Sequence, residues 1–152
     1  MHCADFADHE ERKKSRIKSL DLIEEDGSYA FLKDTTPLLV GKEFKKNHSA
    51  AIEALIENGN KFSKLSLSQY YVAMKNRPDR VFVLANSIVP VLFVIGTEDV
   101  AATMKDVLQQ VHLPKIAYIH ILENIGHMGM LEAPEKLKTI MHAFIKGFIS
   151  TE

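Results

Sequence analysis

Pro90–Thr103 reads PVLFVIGTEDVAAT and Ile116–Pro134 reads IAYIHILENIGHMGMLEAP, and these two stretches decide the fold. In the first, Val89–Ile95 is an unbroken apolar run rich in β-branched residues and closed by Gly96, the pattern of a strand buried on both faces in a parallel sheet. In the second, Ile116–Leu122 is a like run. Between them Thr103–His112 carries Met104, Val107, Leu108 and Val111 at helical spacing. Pro134 then opens a last helix as its first residue, with Leu137, Ile140, Met141, Phe144, Ile145 and Phe148 on a wide apolar stripe. Strand, helix, strand, helix demands parallel pairing through a right-handed crossover.

Asp99 falls just past the first strand and His127 just past the second, so parallel pairing brings both to one sheet edge, where ligands of open α/β sheets bind. A carboxylate that accepts from one imidazole nitrogen fixes the ring tautomer and leaves the other nitrogen to take a proton. Gly126 and Gly129 allow a tight turn about the histidine. Two plainer readings stand beside this one: Asp99 can cap the following helix, and His127 can be an ordinary loop residue.

Upstream the pattern is helical. Asp8 and Glu11 have capping-box spacing, a mostly polar helix runs to Asp26 with Gly27 as its stop, and Ser28–Lys33 can form a short helix. Leu38, Leu39 and Val40 form an apolar loop that wants a partner surface. A helix is expected over His48–Asn58 with Ile52, Leu55 and Ile56 inward, and another from near Ser66 with Leu67, Tyr70, Tyr71 and Met74 on one face. Pro78 ends it, and a brief helix over Asp79–Ala85 follows. The organisation is therefore a helical, cap-like region over residues 1–80 followed by an α/β segment over 81–152.

Composition narrows the partners. With 152 residues, 19 basic against 20 acidic and a net charge of −1, the chain has one domain's length and no broad positive field, so nucleic acid is not expected. The basic run Arg12–Lys18 is read as a solvated helix face. Cys3 is the single cysteine and the histidines lack ligand spacing, so no disulfide, metal or cofactor is expected. Without a signal-like or membrane-spanning apolar run, no membrane partner is expected and the cytoplasm is the expected location.

PVLFVIGTED followed by ENIGHMGMLEAPEKLKTIMHAFI resembles the C-terminal part of the α/β-hydrolase fold family over Arg77–Ile149. The resemblance implies an α/β fold, with Asp99 as the triad acid and His127 as the general base acting on an ester-like small molecule. More weakly, HCADFADHEERKKSRIKSLDLIEEDG looks like the exit from a core strand, Met1–Cys3, into the helical cap over such an active site. Tyr70, Tyr71, Met74 and Met128 are then the expected substrate-facing residues, although the first three read more readily as plain core. In that family the serine nucleophile sits in a G-x-S-x-G elbow ahead of the acid and the base. This sequence has no such elbow. The chain is therefore expected to be a partial hydrolase fold, inactive alone, that either forms a homo-oligomer or pairs with a complementing N-terminal half. The alternative is a non-catalytic remnant that oligomerises or binds an apolar ligand.

Overall fold

The computed structural model describes residues 7–149. The Met1–Cys3 strand stub lies outside the described residues, as does the side chain of Phe148. The chain begins with helix α1, Glu10–Thr35, broken at Gly27, where φ is 86°. That left-handed conformation is open to glycine and strained for most other residues, so the expected stop is a kink between two helical arms. A 3-10 turn, Thr36–Leu38, leads to α2 (Lys42–Asn47), α3 (Ser49–Gly59), α4 (Lys64–Lys75) and α5 (Val81–Ala85). Strand β1 (Val91–Gly96), helix α6 (Met104–Leu108), strand β2 (Ala117–Leu122) and helices α7 (Gly129–Glu132) and α8 (Pro134–Ile149) complete the order.

β1 and β2 pair in parallel, with Val91 opposite Ala117 and Gly96 opposite Leu122. Because side chains alternate, Phe93 and Ile95 point to one face, where they join Leu84, Ala102 and Val107 in a buried cluster. Leu92 and Val94 point to the other face and, with Leu137, Met141, Phe144 and Ile145 of α8, line an apolar cavity of about 290 Å³. Tyr118 of β2 meets Phe144 edge-to-face, ring centroids 5.5 Å apart, which seats α8 on that face. β1 is buried over Phe93–Gly96 as expected, although Val89, read as part of the run, is exposed; β2 is not buried, with Tyr118, Ile119 and Ile121 exposed. Among the described residues the sheet has two strands, so β2 has a neighbour on one side only and too little sheet for the helices to cover.

The helical layer has its own two cores. Ile23 and Phe31 of α1 pack with Leu67 of α4, joined by Leu32 and Tyr71, while Val40, Ile52 and Ile56 pack with Phe44 and Met128. Several local expectations are corrected here. The N-cap of α1 is His9, whose Nδ1 accepts from the Arg12 amide at 3.3 Å; Asp8 is buried and instead holds Arg16 at 3.1 Å and Arg77 at 3.6 Å. Two guanidinium partners satisfy a buried carboxylate better than one backbone amide does. Part of the basic run is accordingly tied down, with Arg16 also 5.6 Å from the centre of the Tyr71 ring. Finally, α4 meets α1 through a narrow stripe, so Tyr70 lies outside it and is 62% exposed. The helix expected over Thr103–His112 is cut to Met104–Leu108, and α2 is an additional short helix. No helix among the described residues is long and apolar enough to cross a membrane.

Ile95 is 1% exposed at the centre of the sheet core, whereas a methyl group added at Gly147 meets nothing within 4 Å. Ile95→Ala is expected to cost about 2–5 kcal/mol in denaturant unfolding through the cavity it leaves. Gly147→Ala, in an exposed helix interior, is expected to gain up to about 1 kcal/mol.

Candidate active site

The paired strands end together, and their C-terminal turns are laced to each other. The Thr97 amide donates to the Leu122 carbonyl at 3.1 Å, the Glu98 amide to the Ile125 carbonyl at 2.9 Å, and the Asn124 amide to Thr97 Oγ1 at 2.9 Å. Asn124 takes a φ of 61°, a left-handed conformation that asparagine tolerates better than most side chains. This brings Asp99 and His127, 28 positions apart in sequence, into direct contact: Asp99 Oδ2 lies 2.9 Å from His127 Nδ1.

Asp99 uses its other oxygen to hold its own turn. Oδ1 accepts from the Ala101 and Ala102 amides, each at 2.8 Å. The cap of α6 is a different residue, Thr103, whose hydroxyl accepts from the Asp106 amide. The helix-cap reading of Asp99 is thus corrected: one oxygen holds its own turn and the other faces His127. An ionised carboxylate only accepts, so the His127 nitrogen facing it carries the proton and the basic lone pair sits on Nε2. The Asp99 side chain is fully buried and that of His127 is 28% exposed, so the ring spans the distance from the protein interior to the surface of the described structure. Burial pushes the Asp99 carboxyl up, but the hydrogen bonds from His127 and Ala102, the His127 charge and the Ala101 amide together hold it below the usual carboxylate value.

The histidine turn is anchored to the loop that enters α2. The His127 amide donates to the Leu39 carbonyl at 2.7 Å. A β-carbon at Gly126 would lie 2.7 Å from Gly41 N, Leu39 O and Val40 C, three backbone atoms with no freedom to withdraw. Glu132, which the sequence did not single out, completes the arrangement. Its carboxylate accepts from the Gly41 amide at 2.7 Å, the Gly126 amide at 3.0 Å and the Met128 amide at 3.1 Å. Glu98, next to Asp99, accepts from the Lys42 amide at 2.6 Å. The sequence signal available was a carboxylate shortly after a glycine-rich turn, whose amides lack helical partners.

Of the other sequence-derived candidates, Met128 packs against Val40, Ile52 and Ile56 at the foot of the helical layer, directly beside His127 in the chain. Tyr71 stacks edge-to-face on Phe31, centroids 5.2 Å apart, within the α1–α4 core. Met74 is half-buried, and Tyr70 lines an outer surface hollow with Ser66, Gln69 and Ala73. Asp99 and His127 are joined by a direct bond; Tyr70 and Tyr71 lie in other parts of the layer. Among the described residues no group of three or more His, Cys, Asp or Glu side chains is placed to hold a metal ion.

Comparison with known families gives a match to the model of the Ndr family over residues 10–150. The chain belongs to the Ndr family, an α/β-hydrolase-fold family. Solved structures similar to this Ndr-family chain include a thermophilic esterase from Thermogutta terrifontis, at 17% identity and a TM-score of 0.83 over 94% of this chain and 53% of that one. An esterase from Exiguobacterium antarcticum matches at 15% and 0.81 over 94% and 54%, and an enol-lactonase from Burkholderia xenovorans at 15% and 0.79 over 88% and 50%. At such identities the likeness establishes the fold, a partial α/β-hydrolase fold. This Ndr-family chain spans about half the length of those structures. No curated protein matches it.

The lowered Asp99 pKa has a signed consequence. A carboxyl whose folded value lies below its unfolded value of about 3.9 contributes stability above that value and loses it as pH falls through the folded one. Asp99→Asn is expected to be less stable than the native chain at pH 7, with the difference shrinking on acidification below about pH 4; urea unfolding at stepped pH measures it. Gly126→Ala is expected to cost about 1–3 kcal/mol in the same assay.

Proposed function

We propose that this chain is the cap and acid–base half of an α/β-fold carboxylic-ester hydrolase, in which His127 is the general base and Asp99 holds it in the working tautomer. The observation that carries the reading is the 2.9 Å contact between Asp99 Oδ2 and His127 Nδ1 at the C-terminal edge of a parallel sheet. In that chemistry Nε2 accepts the proton of a serine hydroxyl as the oxygen attacks the ester carbonyl. The imidazolium then returns that proton to the departing alcohol, and the acyl group is released by water through the same base. The helical layer, joined to the histidine turn at Leu39–Gly41, serves as the cap, with Met128 and its neighbours Val40 and Ile52 beneath it as the apolar wall nearest the base.

The serine and its oxyanion donors belong to a complementing N-terminal half, which also covers the free edge of β1 and the apolar surface around the 290 Å³ cavity. The half-length overlap with the similar hydrolases supports that occupant. The 152-residue chain by itself therefore turns over no ester. A second reading, a non-catalytic remnant that self-associates or holds an apolar ligand, draws on the same cavity and on exposed Tyr118, Ile119, Ile121, Met141 and Ile145.

Co-expression with a hydrolase N-terminal half that carries a G-x-S-x-G elbow tests the first reading. The expected result is p-nitrophenyl acetate hydrolysis that falls by about 10³-fold or more on His127→Ala. Undiminished turnover in that variant, or no turnover from a folded complex, overturns the assignment. A chain that sediments as a stable dimer, refuses the complementing half and binds a fatty acid saturably supports the second reading instead.

A further inference from the structure

One carboxylate gathers the amides of two loops that are far apart in sequence. Glu132 accepts from Gly126 and Met128, the residues on either side of the histidine, and from Gly41, 91 positions away. Without Glu132, three backbone N–H groups at a half-buried junction would compete for water that the close approach of Gly126 to Val40 leaves little room for. The Asn124-to-Thr97 and Glu98-to-Ile125 bonds fix the start of the turn and the His127-to-Leu39 bond fixes the histidine backbone itself. The Glu132 bonds add contacts on both sides of His127 and set the direction in which its side chain leaves the backbone.

The junction also reaches the acid. Glu98 accepts from the Lys42 amide, the residue after Gly41, and Glu98 is covalently next to Asp99. Neither Gly41 nor any other local side chain caps α2; the two carboxylates from the α/β segment satisfy its first amides and complement the positive end of its dipole. The Leu39–Lys42 strap is consequently held by the histidine turn on one side and the aspartate turn on the other.

We propose that Glu132 is the positioning residue of the Asp99–His127 pair, setting His127 against Asp99 by clamping the histidine turn to the Gly41 strap. It acts through backbone amides and touches no reacting atom. The inference rests on the reading of Asp99 and His127 as acid and base, but its test needs no turnover. A failure of ester hydrolysis in the complemented enzyme and a failure of the Glu132 role are therefore distinguishable.

The experiment uses the full 152-residue chain with Glu132→Ala and Glu132→Gln, and Asp99→Asn as the reference for a broken pair. In the native chain the hydrogen-bonded Nδ1 proton of His127 is expected as a low-field resonance in the proton NMR spectrum, absent from Asp99→Asn. Glu132→Ala is expected to lose or broaden that resonance while cooperative unfolding is retained. If Glu132→Ala does not fold, Glu132→Gln carries the test. Its amide nitrogen would face N–H donors, so exchange protection at Gly41, Gly126 and Met128 is expected to drop about tenfold or more together with the resonance. A folded variant that keeps the native His127 resonance, whether or not those amides exchange faster, overturns the proposal.

Discussion

Asp99 is bound on both oxygens: Oδ1 takes two backbone amides of its own turn and Oδ2 takes the imidazole of His127. A carboxylate held that way has no rotational freedom left, so the direction in which it meets the histidine is set by the turn, and the turn is set by where β1 ends. β1 ends at Gly96, opposite Leu122 of β2, so the parallel register determines where the histidine turn begins. Shifting that register by one residue would move Asp99 away from His127 and turn the Phe93–Ile95 face out of the core. The site and the sheet core thus depend on the same pairing, and the buried cluster around Ile95 that stabilises the register also stabilises the pair.

The same two strands explain the unusual surface. A parallel sheet is normally covered on both faces and extended on both sides, and here α5 and α6 on one face and α8 on the other cover β1 while β2 keeps three large apolar or aromatic side chains exposed. The chain overlaps about half of each similar hydrolase, and under the proposed reading its α/β segment joins a larger sheet. At its edge the Asp99 carboxylate and the His127 imidazole are in direct contact, and both are held by bonds internal to this chain.

Much of this was legible from the residues. The apolar runs around Val94 and Ile119 marked the strands, Gly96 and Gly126 marked their turns, and the parallel pairing that the alternation demanded brought Asp99 to His127. The reading failed where a polar group had a distant partner. Asp8 sits at capping-box spacing from Glu11, yet Arg77, 69 positions on, and Arg16 take its oxygens. Glu132 was not singled out because its partners are backbone amides, which leave no mark on a sequence. Periodicity placed Tyr70 with Tyr71 on one stripe of α4, but the width of a stripe is decided by the partner helix, and the apolar core with α1 takes in Leu67 and Tyr71. β2 read as a buried strand from its apolar run, but among the described residues it has a strand on one side only and Tyr118, Ile119 and Ile121 stay exposed.

The central claim is that Asp99 fixes His127 with its proton on Nδ1 and its basic lone pair on Nε2, and the tautomer can be read directly. Long-range proton–nitrogen correlation spectra of the ¹⁵N-labelled chain, recorded with the ring neutral, report which nitrogen of His127 bears the proton. The expected result is a single Nδ1–H tautomer that becomes an averaged mixture in Asp99→Asn. A native His127 protonated on Nε2, or already averaging between the two forms, would contradict the account.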